Sequence, residues 1–126
     1  MSKPLREILQ EANYHCFSRC QGLNKLLLKK HAESSFIEAV KMCQNYYKFK
    51  LIAVEVRDNH FHLLIRTLKD EGTVDRIMQY IKARTAEKYN RAAKRKGPFW
   101  NERYKSTIIE KSENPKRYLS RLLYSK

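Results

Sequence analysis

The sequence predicts an α+β fold, an antiparallel sheet of about four strands with helices in the order β-α-β-β-α-β-α. Three observations predict it. The hydrophobic period switches repeatedly between two and three-to-four along the chain. Two strand-like runs, 50–57 and 60–67, flank the turn residues Asp58 and Asn59. Only three Gly and three Pro among 126 residues leave little room for long loops. Strands and helices in this order match the ferredoxin-like, or RRM-like, arrangement.

The first strand is read at 13–19, Asn-Tyr-His-Cys-Phe-Ser-Arg, rich in aromatic residues. Gln21-Gly22-Leu23-Asn24 reads as a turn or loop. A helix is expected over 31–48, where Ala32, Phe36, Val40, Cys43 and Tyr47 make one stripe and Ser34 or Ser35 could cap the start. Residues 50–57, KLIAVEVR, and 60–67, HFHLLIRT, then form a tight antiparallel hairpin around Asp58-Asn59.

Gly72-Thr73 precedes a long helix, 74–94, with an inner stripe of Val74, Ile77, Met78, Ile81, Thr85 and Tyr89. Its outer face carries Arg76, Lys82, Arg84, Lys88, Arg91 and Lys94. Residues 99–110 contain a strand, part of which can be loop. Ser112-Glu113-Asn114-Pro115 starts a last helix, 115–126, since Pro suits a first helical turn.

A chain this long makes one domain, 1–126. Its loudest property is charge: 27 Lys and Arg against 13 Asp and Glu, a net +14. Such an excess suits a polyanion, most often nucleic acid, sometimes an anionic membrane. With 42% hydrophobic and 11% aromatic residues, the chain is not a disordered basic tail. No apolar run approaches the ~20 residues of a membrane-spanning helix. The opening MSKPLREILQEAN lacks a signal-peptide core. Cys16, Cys20 and Cys43 are an odd set with no metal-finger spacing. Reduced thiols and a cytoplasmic, nucleoid-associated location are the expectation.

His60-Phe61-His62 carries the sharpest chemistry. Alternate strand residues share a face, so His60 and His62 project together with Leu64 behind them, while Phe61, Leu63 and Ile65 take the apolar face. Two adjacent imidazoles suit a metal; the plain alternative is two surface histidines. Glu55 interrupts an apolar run. With a two-residue loop at Asp58-Asn59, Arg57 faces His60, Val56 faces Phe61 and Glu55 faces His62. Glu55 is then a third metal ligand, an orienter of an imidazole, or an exposed carboxylate paired with Arg57 or Arg66. A loop one residue longer breaks the pairing.

In the last helix Leu119, Leu122 and Leu123 form the apolar stripe, and Tyr124 lies roughly 150° from its centre at 100° per residue. Tyr124 shares its side with Arg117, Ser120 and Arg121, which could hold a phosphate. The residues alone favour the plainer reading, an exposed tyrosine near a frayed chain end. The segment Gly97-Pro98-Phe99-Trp100-Asn101-Glu102-Arg103-Tyr104 interleaves aromatics with charge, which suits base stacking or, alternatively, anchoring in the core. Candidate DNA contacts are Arg19, Lys82, Arg84, Arg91, Lys94, Arg95, Lys96, Trp100, Arg103, Lys105, Arg117 and Arg121.

Together these segments resemble the HUH single-tyrosine transposases of bacterial insertion sequences, the IS200-like transposase family, and are most similar to its REP-associated tyrosine transposases. The resemblance runs from Tyr14-His15-Cys16-Phe17-Ser18-Arg19-Cys20 through Asn59-His60-Phe61-His62-Leu63-Leu64, the HUH signature. It continues through Arg76-Ile77-Met78-Gln79 and Gly97 to Ser106, and ends with Tyr118 and Tyr124. It implies that His60 and His62 bind Mg²⁺ or Mn²⁺, with Tyr124 the nucleophile that leaves a 5′-phosphotyrosine and a 3′-hydroxyl. The implied substrate is single-stranded DNA beside a short hairpin. Members act as homodimers or as monomers, and both states stay open here. Two departures stand out. In the family a polar residue about one turn after the nucleophile, often Asn or Gln, completes the metal site, but the sequence given stops at Lys126; either it is trimmed, or Glu55 takes over, or cleavage is lost. Asp58 stands where the family usually has proline. The competing expectations are a catalytically silent DNA-binding module on the same scaffold and a basic RNA-binding domain, which leaves the histidines unexplained.

Overall fold

The computed structural model describes residues 11–20, 26–57, 59–110 and 113–124, with side chains for all of these except 26–29, 57, 119 and 122–124. Its elements are β1 (Asn13–Arg19), α1 (Leu26–Cys43), β2 (Phe49–Arg57), β3 (His60–Thr67), α2 (Val74–Ala93), β4 (Lys105–Ile109) and α3 (Pro115–Tyr124). The order is the one the sequence predicts. The strands form one antiparallel sheet in the order β2-β3-β1-β4. The Gln21–Asn24 turn, Asp58, Ser112 and the last two residues of the expected final helix lie outside the described residues.

One sheet face carries the core. Tyr14, Cys16, Phe61, Leu63 and Ile65 are buried there, against Phe36, Ala39 and Val40 of α1 and Ile77, Met78 and Ile81 of α2. Every residue of the expected α2 stripe is buried, from Val74 to Tyr89. Aromatic rings extend this core: Phe61 meets Phe36, Phe99 and Trp100 at centroid distances of 5.1, 5.9 and 5.0 Å. Burying side chains of this size contributes about 1.5–3 kcal/mol each.

The caps explain where helices begin and end. Thr73 Oγ1 accepts from the Arg76 amide and starts α2. Lys94 closes α2 in a left-handed conformation, φ 53°, its amide bonding the last carbonyls. Asn114 caps α3, its Oδ1 accepting from the amides of Lys116 at 2.9 Å and Arg117 at 3.2 Å, with Pro115 in the first turn.

Two elements differ by several residues from the sequence reading. Helix α1 starts at Leu26, not at 31, because the Leu-Lys run before His31 is itself helix-favouring. Ser34 and Ser35 therefore sit inside it, Ser34 bonding Glu38 and Ser35 buried, and neither is a cap. The helix stops at Cys43, where tighter bonds from Asn45 to Met42 and from Tyr46 to Cys43 unwind the last turn. Tyr47 thus leaves the helix and packs its ring where any Gly72 side chain would have to sit. Strand β4 is the second difference, since it begins only at Lys105 and residues 101–104 are loop.

Candidate active site

The hairpin register sets the geometry. Glu55 pairs with His62, Val56 with Phe61 and Arg57 with His60, as a two-residue loop requires. A bulge between Leu51 and Ala53 shifts the register upstream of this stretch and leaves it intact. Strand β1 continues the rows, with Phe17 opposite His62 and Arg19 opposite His60, and Lys105 of β4 stands opposite Phe17. Directly opposed residues share a face. The sheet face away from the core therefore carries Glu55, His62, Phe17 and Lys105 in one row, and His60 with Arg19 in the next.

A third histidine joins them. His15 Nε2 lies 3.0 Å from His62 Nδ1, and His15 Nδ1 lies 3.2 Å from the Tyr118 hydroxyl. Tyr118 belongs to α3, so that helix reaches the sheet face opposite α1 and α2. His15 is 3% exposed. Burial, and secondarily the neighbouring His62, pulls its pKa from 6.5 to about 4. Tyr118 is shifted upward by burial and then by Glu113. Phe17 rests against both imidazoles, at 5.7 and 5.8 Å, with the Lys105 ammonium 5.8 Å from its ring centre.

The His60 ring is held by Arg19, whose Nε–H donates to His60 Nε2 at 3.0 Å. The same guanidinium is 4.0 Å from Glu102. The imidazoles of His60 and His62 are 6.3 Å apart by centroid and nearly perpendicular. Among the described residues, no three His, Cys, Asp or Glu side chains converge into a metal-holding group. The donor types nonetheless fit a divalent cation, two imidazoles and a carboxylate across one strand pair. A cation on His60 Nε2 has to displace Arg19. Tyr124 ends α3, and its side chain lies outside the described residues, as do those of Leu119, Leu122 and Leu123.

Comparison with known proteins adds a decisive match. The family model described as IS200-like transposase matches residues 8–121. The chain belongs to the IS200-like transposase family. Among solved structures it is similar to a REP-associated tyrosine transposase bound to a REP hairpin, with a TM-score of 0.71 and 17% identity over 98% of this chain and 70% of that one. It is also similar to a Deinococcus radiodurans R1 protein described as a transposase, with a TM-score of 0.62 and 16% identity over 98% of this chain and 96% of that one. Among curated proteins none matches the chain. At these identities the solved structures show a shared fold, the four-stranded sheet with three helices.

The transposase's basic residues fall into two groups. Lys82, Arg84, Arg95 and Arg121 each have partners within the chain, Arg121 while staying exposed. Lys82 Nζ donates to the Glu102 carbonyl at 2.7 Å and sits 4.9 Å from the Trp100 ring. Arg84 pairs with Glu87 at 2.7 Å and lies over Tyr80. Arg95 bonds Asn90 Oδ1 and the Pro98 carbonyl and lies over Tyr89. Arg121 pairs with Glu113. Arg91, Lys94, Lys96, Arg103 and Arg117 are exposed, as is Lys105, which is 3.7 Å from Glu102. The expected outer face of α2 is thus partly inward: Lys82, Arg84 and Lys88 are half-buried, and Lys88 reaches Glu38 at 3.3 Å.

Trp100 anchors the transposase's loop before β4. Its Nε1–H donates to the Lys82 carbonyl at 2.9 Å, and its ring packs on Phe61 and Phe99. Beside it an open cleft of about 420 Å³ is lined by Asp75, Gln79, Lys82, Arg103 and Tyr104. Cys16, Cys20 and Cys43 are buried thiols, none in a disulfide. No helix among the described residues is long and apolar enough to cross a membrane.

Sequence reading had placed His60, His62 and Glu55 together but had not assigned roles to His15, Phe17 or Tyr118. Alternation along β1 puts His15, Phe17 and Arg19 on one face, and that signal was present. The missing piece was the β1–β3 register, which sets His15 opposite Leu64 and Phe17 opposite His62.

Proposed function

We propose that this transposase nicks and rejoins single-stranded DNA next to a short hairpin, in a divalent-metal-dependent reaction with Tyr124 as nucleophile. The observation that carries the reading is the shared face of Glu55, His60 and His62. Helix α3, which ends in Tyr124, meets that same face through Tyr118 and His15. The likeness to a transposase bound to a REP hairpin supports a hairpin substrate.

His60, His62 and Glu55 would hold Mg²⁺ or Mn²⁺. When bound, such an ion would supply Lewis-acid polarisation of the scissile phosphate. A phenol has an ordinary pKa near 10, so Tyr124 must lose its proton as it attacks. The new bond joins the tyrosine oxygen to phosphorus. The bond that breaks links phosphorus to the 3′-oxygen, which leaves with a proton as a 3′-hydroxyl. The 5′-phosphotyrosine conserves the phosphodiester bond energy. Attack by a 3′-hydroxyl reverses the step and rejoins strands without ATP. Exposed Arg91, Lys94, Lys96, Arg103, Lys105 and Arg117 supply charge for the DNA backbone. One chain or two can assemble this site.

One observation favours a second reading, a DNA-binding module without cleavage: Arg19 engages the His60 nitrogen that a cation would use. A library of fluorescent single-stranded hairpins with 5′ flanks, incubated with Mn²⁺, separates the two. The enzyme reading predicts shorter labelled products that vanish with chelator and with His60→Ala or His62→Ala. Tight binding without products, in the presence of Mn²⁺, supports the module instead.

A further inference from the structure

We propose that His15 is a positioning residue that fixes the tautomer of His62, its Nε2 accepting the His62 Nδ1–H so that the Nε2 lone pair of His62 serves a divalent cation. This inference rests on the metal-site reading above.

The ring geometry defines the contact. The His15 and His62 planes differ by only 13°, and their centroids are 5.2 Å apart while the facing nitrogens are 3.0 Å apart. Near-parallel rings whose nearest atoms lie 2.2 Å closer than their centres meet edge to edge. One nitrogen's lone pair therefore faces the other's proton, as an N–H···N hydrogen bond requires. Strand pairing enforces the position, since His15 stands opposite Leu64, one step along the face from His62.

A neutral imidazole has one N–H and one lone pair. With both rings neutral, two proton arrangements satisfy the chain from Tyr118 through His15 to His62. In the first, Tyr118 donates to His15 Nδ1 and His15 Nε2–H donates to His62 Nδ1. His62 then carries its proton on Nε2, where a cation would need the lone pair. In the second, His62 Nδ1–H donates to His15 Nε2 and His15 Nδ1–H donates to the Tyr118 oxygen. Only the second presents His62 Nε2 as a ligand. A tyrosine hydroxyl serves equally as donor or acceptor, so Tyr118 closes the chain in either direction. Metal-binding histidines commonly donate their other N–H to a carboxylate or carbonyl, which sets the tautomer. Here a buried histidine takes that place, backed by the tyrosine of α3.

The test uses the full chain labelled with ¹⁵N. Long-range proton–nitrogen correlations report the His62 tautomer with and without Mg²⁺, and calorimetry reports Mn²⁺ affinity. The wild-type chain with Mg²⁺ is expected to show His62 protonated on Nδ1. His15→Phe is expected to weaken Mn²⁺ binding about 10- to 100-fold, the usual effect of removing such a partner, and to move the His62 proton towards Nε2. His15→Gln, whose amide oxygen can accept in place of Nε2, is expected to recover most of the affinity. Amide spectra of both variants check that the fold is intact, and a structural role alone would not move the His62 nitrogen shifts. Unchanged Mn²⁺ affinity in His15→Phe, or an Nε2–H tautomer in the metal-bound wild type, overturns the proposal alone. Mn²⁺ binding that His62→Ala leaves untouched overturns the metal-site reading, and the proposal with it.

Discussion

Arg19 Nε–H donates to His60 Nε2 at 3.0 Å, so a guanidinium sits on the first histidine of the His60-Phe61-His62 run. A cation that uses this nitrogen must break that bond and then share the neighbourhood with a positive charge. Arg19→Leu is therefore expected to tighten Mn²⁺ binding in the absence of DNA while weakening DNA binding. Calorimetry with and without a single-stranded oligonucleotide checks both signs. Weaker Mn²⁺ binding in the variant would mean that Arg19 supports the site rather than competing at it.

Trp100 is tied to Lys82 through its indole N–H and to the core through Phe61 and Phe99. Trp100→Phe removes the indole donor to the Lys82 carbonyl, which keeps its place in the helix ladder, so the loss is that of one hydrogen bond, about 0.5–1.5 kcal/mol. Urea unfolding is expected to show that loss. Unchanged stability combined with a large loss of DNA affinity would assign the ring to base stacking instead.

The two groups of basic residues make separate predictions. If exposed Lys96 and Arg91 meet the DNA backbone as proposed, Lys96→Gln or Arg91→Gln is expected to reduce the slope of log affinity against log salt by about 0.7 for single strands. Lys82→Gln is expected to lower stability, because its ammonium holds the Glu102 carbonyl and lies against Trp100. Salt titrations of binding beside urea curves separate these effects. A salt slope that moves with Lys82 and not with Lys96 or Arg91 would reverse the assignment.

Alkaline pH tests the buried thiols. Burial pushes Cys43 from 9.0 up to about 12 and Cys20 up to about 11. Between pH 9 and these values the unfolded chain has lost thiol protons that the folded chain keeps, so stability falls as pH rises. Cys43→Ala is expected to flatten that fall, read as urea midpoints at pH 8 and pH 10. A variant that loses stability between those pH values as steeply as the wild type would show that Cys43 takes no part.

The hairpin and α2 were legible because local rules fix them. Asp58-Asn59 between two period-two runs sets the pairing of Glu55 with His62, and a six-residue stripe sets the buried face of α2. The partnership of His15 with His62 was not legible, because the ferredoxin-like order places β1 beside β3 but no local pattern sets the register that brings His15 opposite Leu64, one step from His62. The start of α1 was missed because serines read as caps were overridden by the helix-favouring run before them. Lys82, Arg84 and Lys88 looked like a solvated face because periodicity cannot see a following loop. Glu102 and Trp100 cover Lys82 from just such a loop.

In the proposed reaction Tyr124 forms a covalent bond to DNA. The most direct measurement is a denaturing protein gel after incubation with Mn²⁺ and fluorescent single-stranded hairpins. The expected result is a labelled protein band that disappears with chelator and with Tyr124→Phe, while Tyr118→Phe retains it. A band that survives Tyr124→Phe, or no band where hairpin binding and Mn²⁺ binding are both intact, would contradict it.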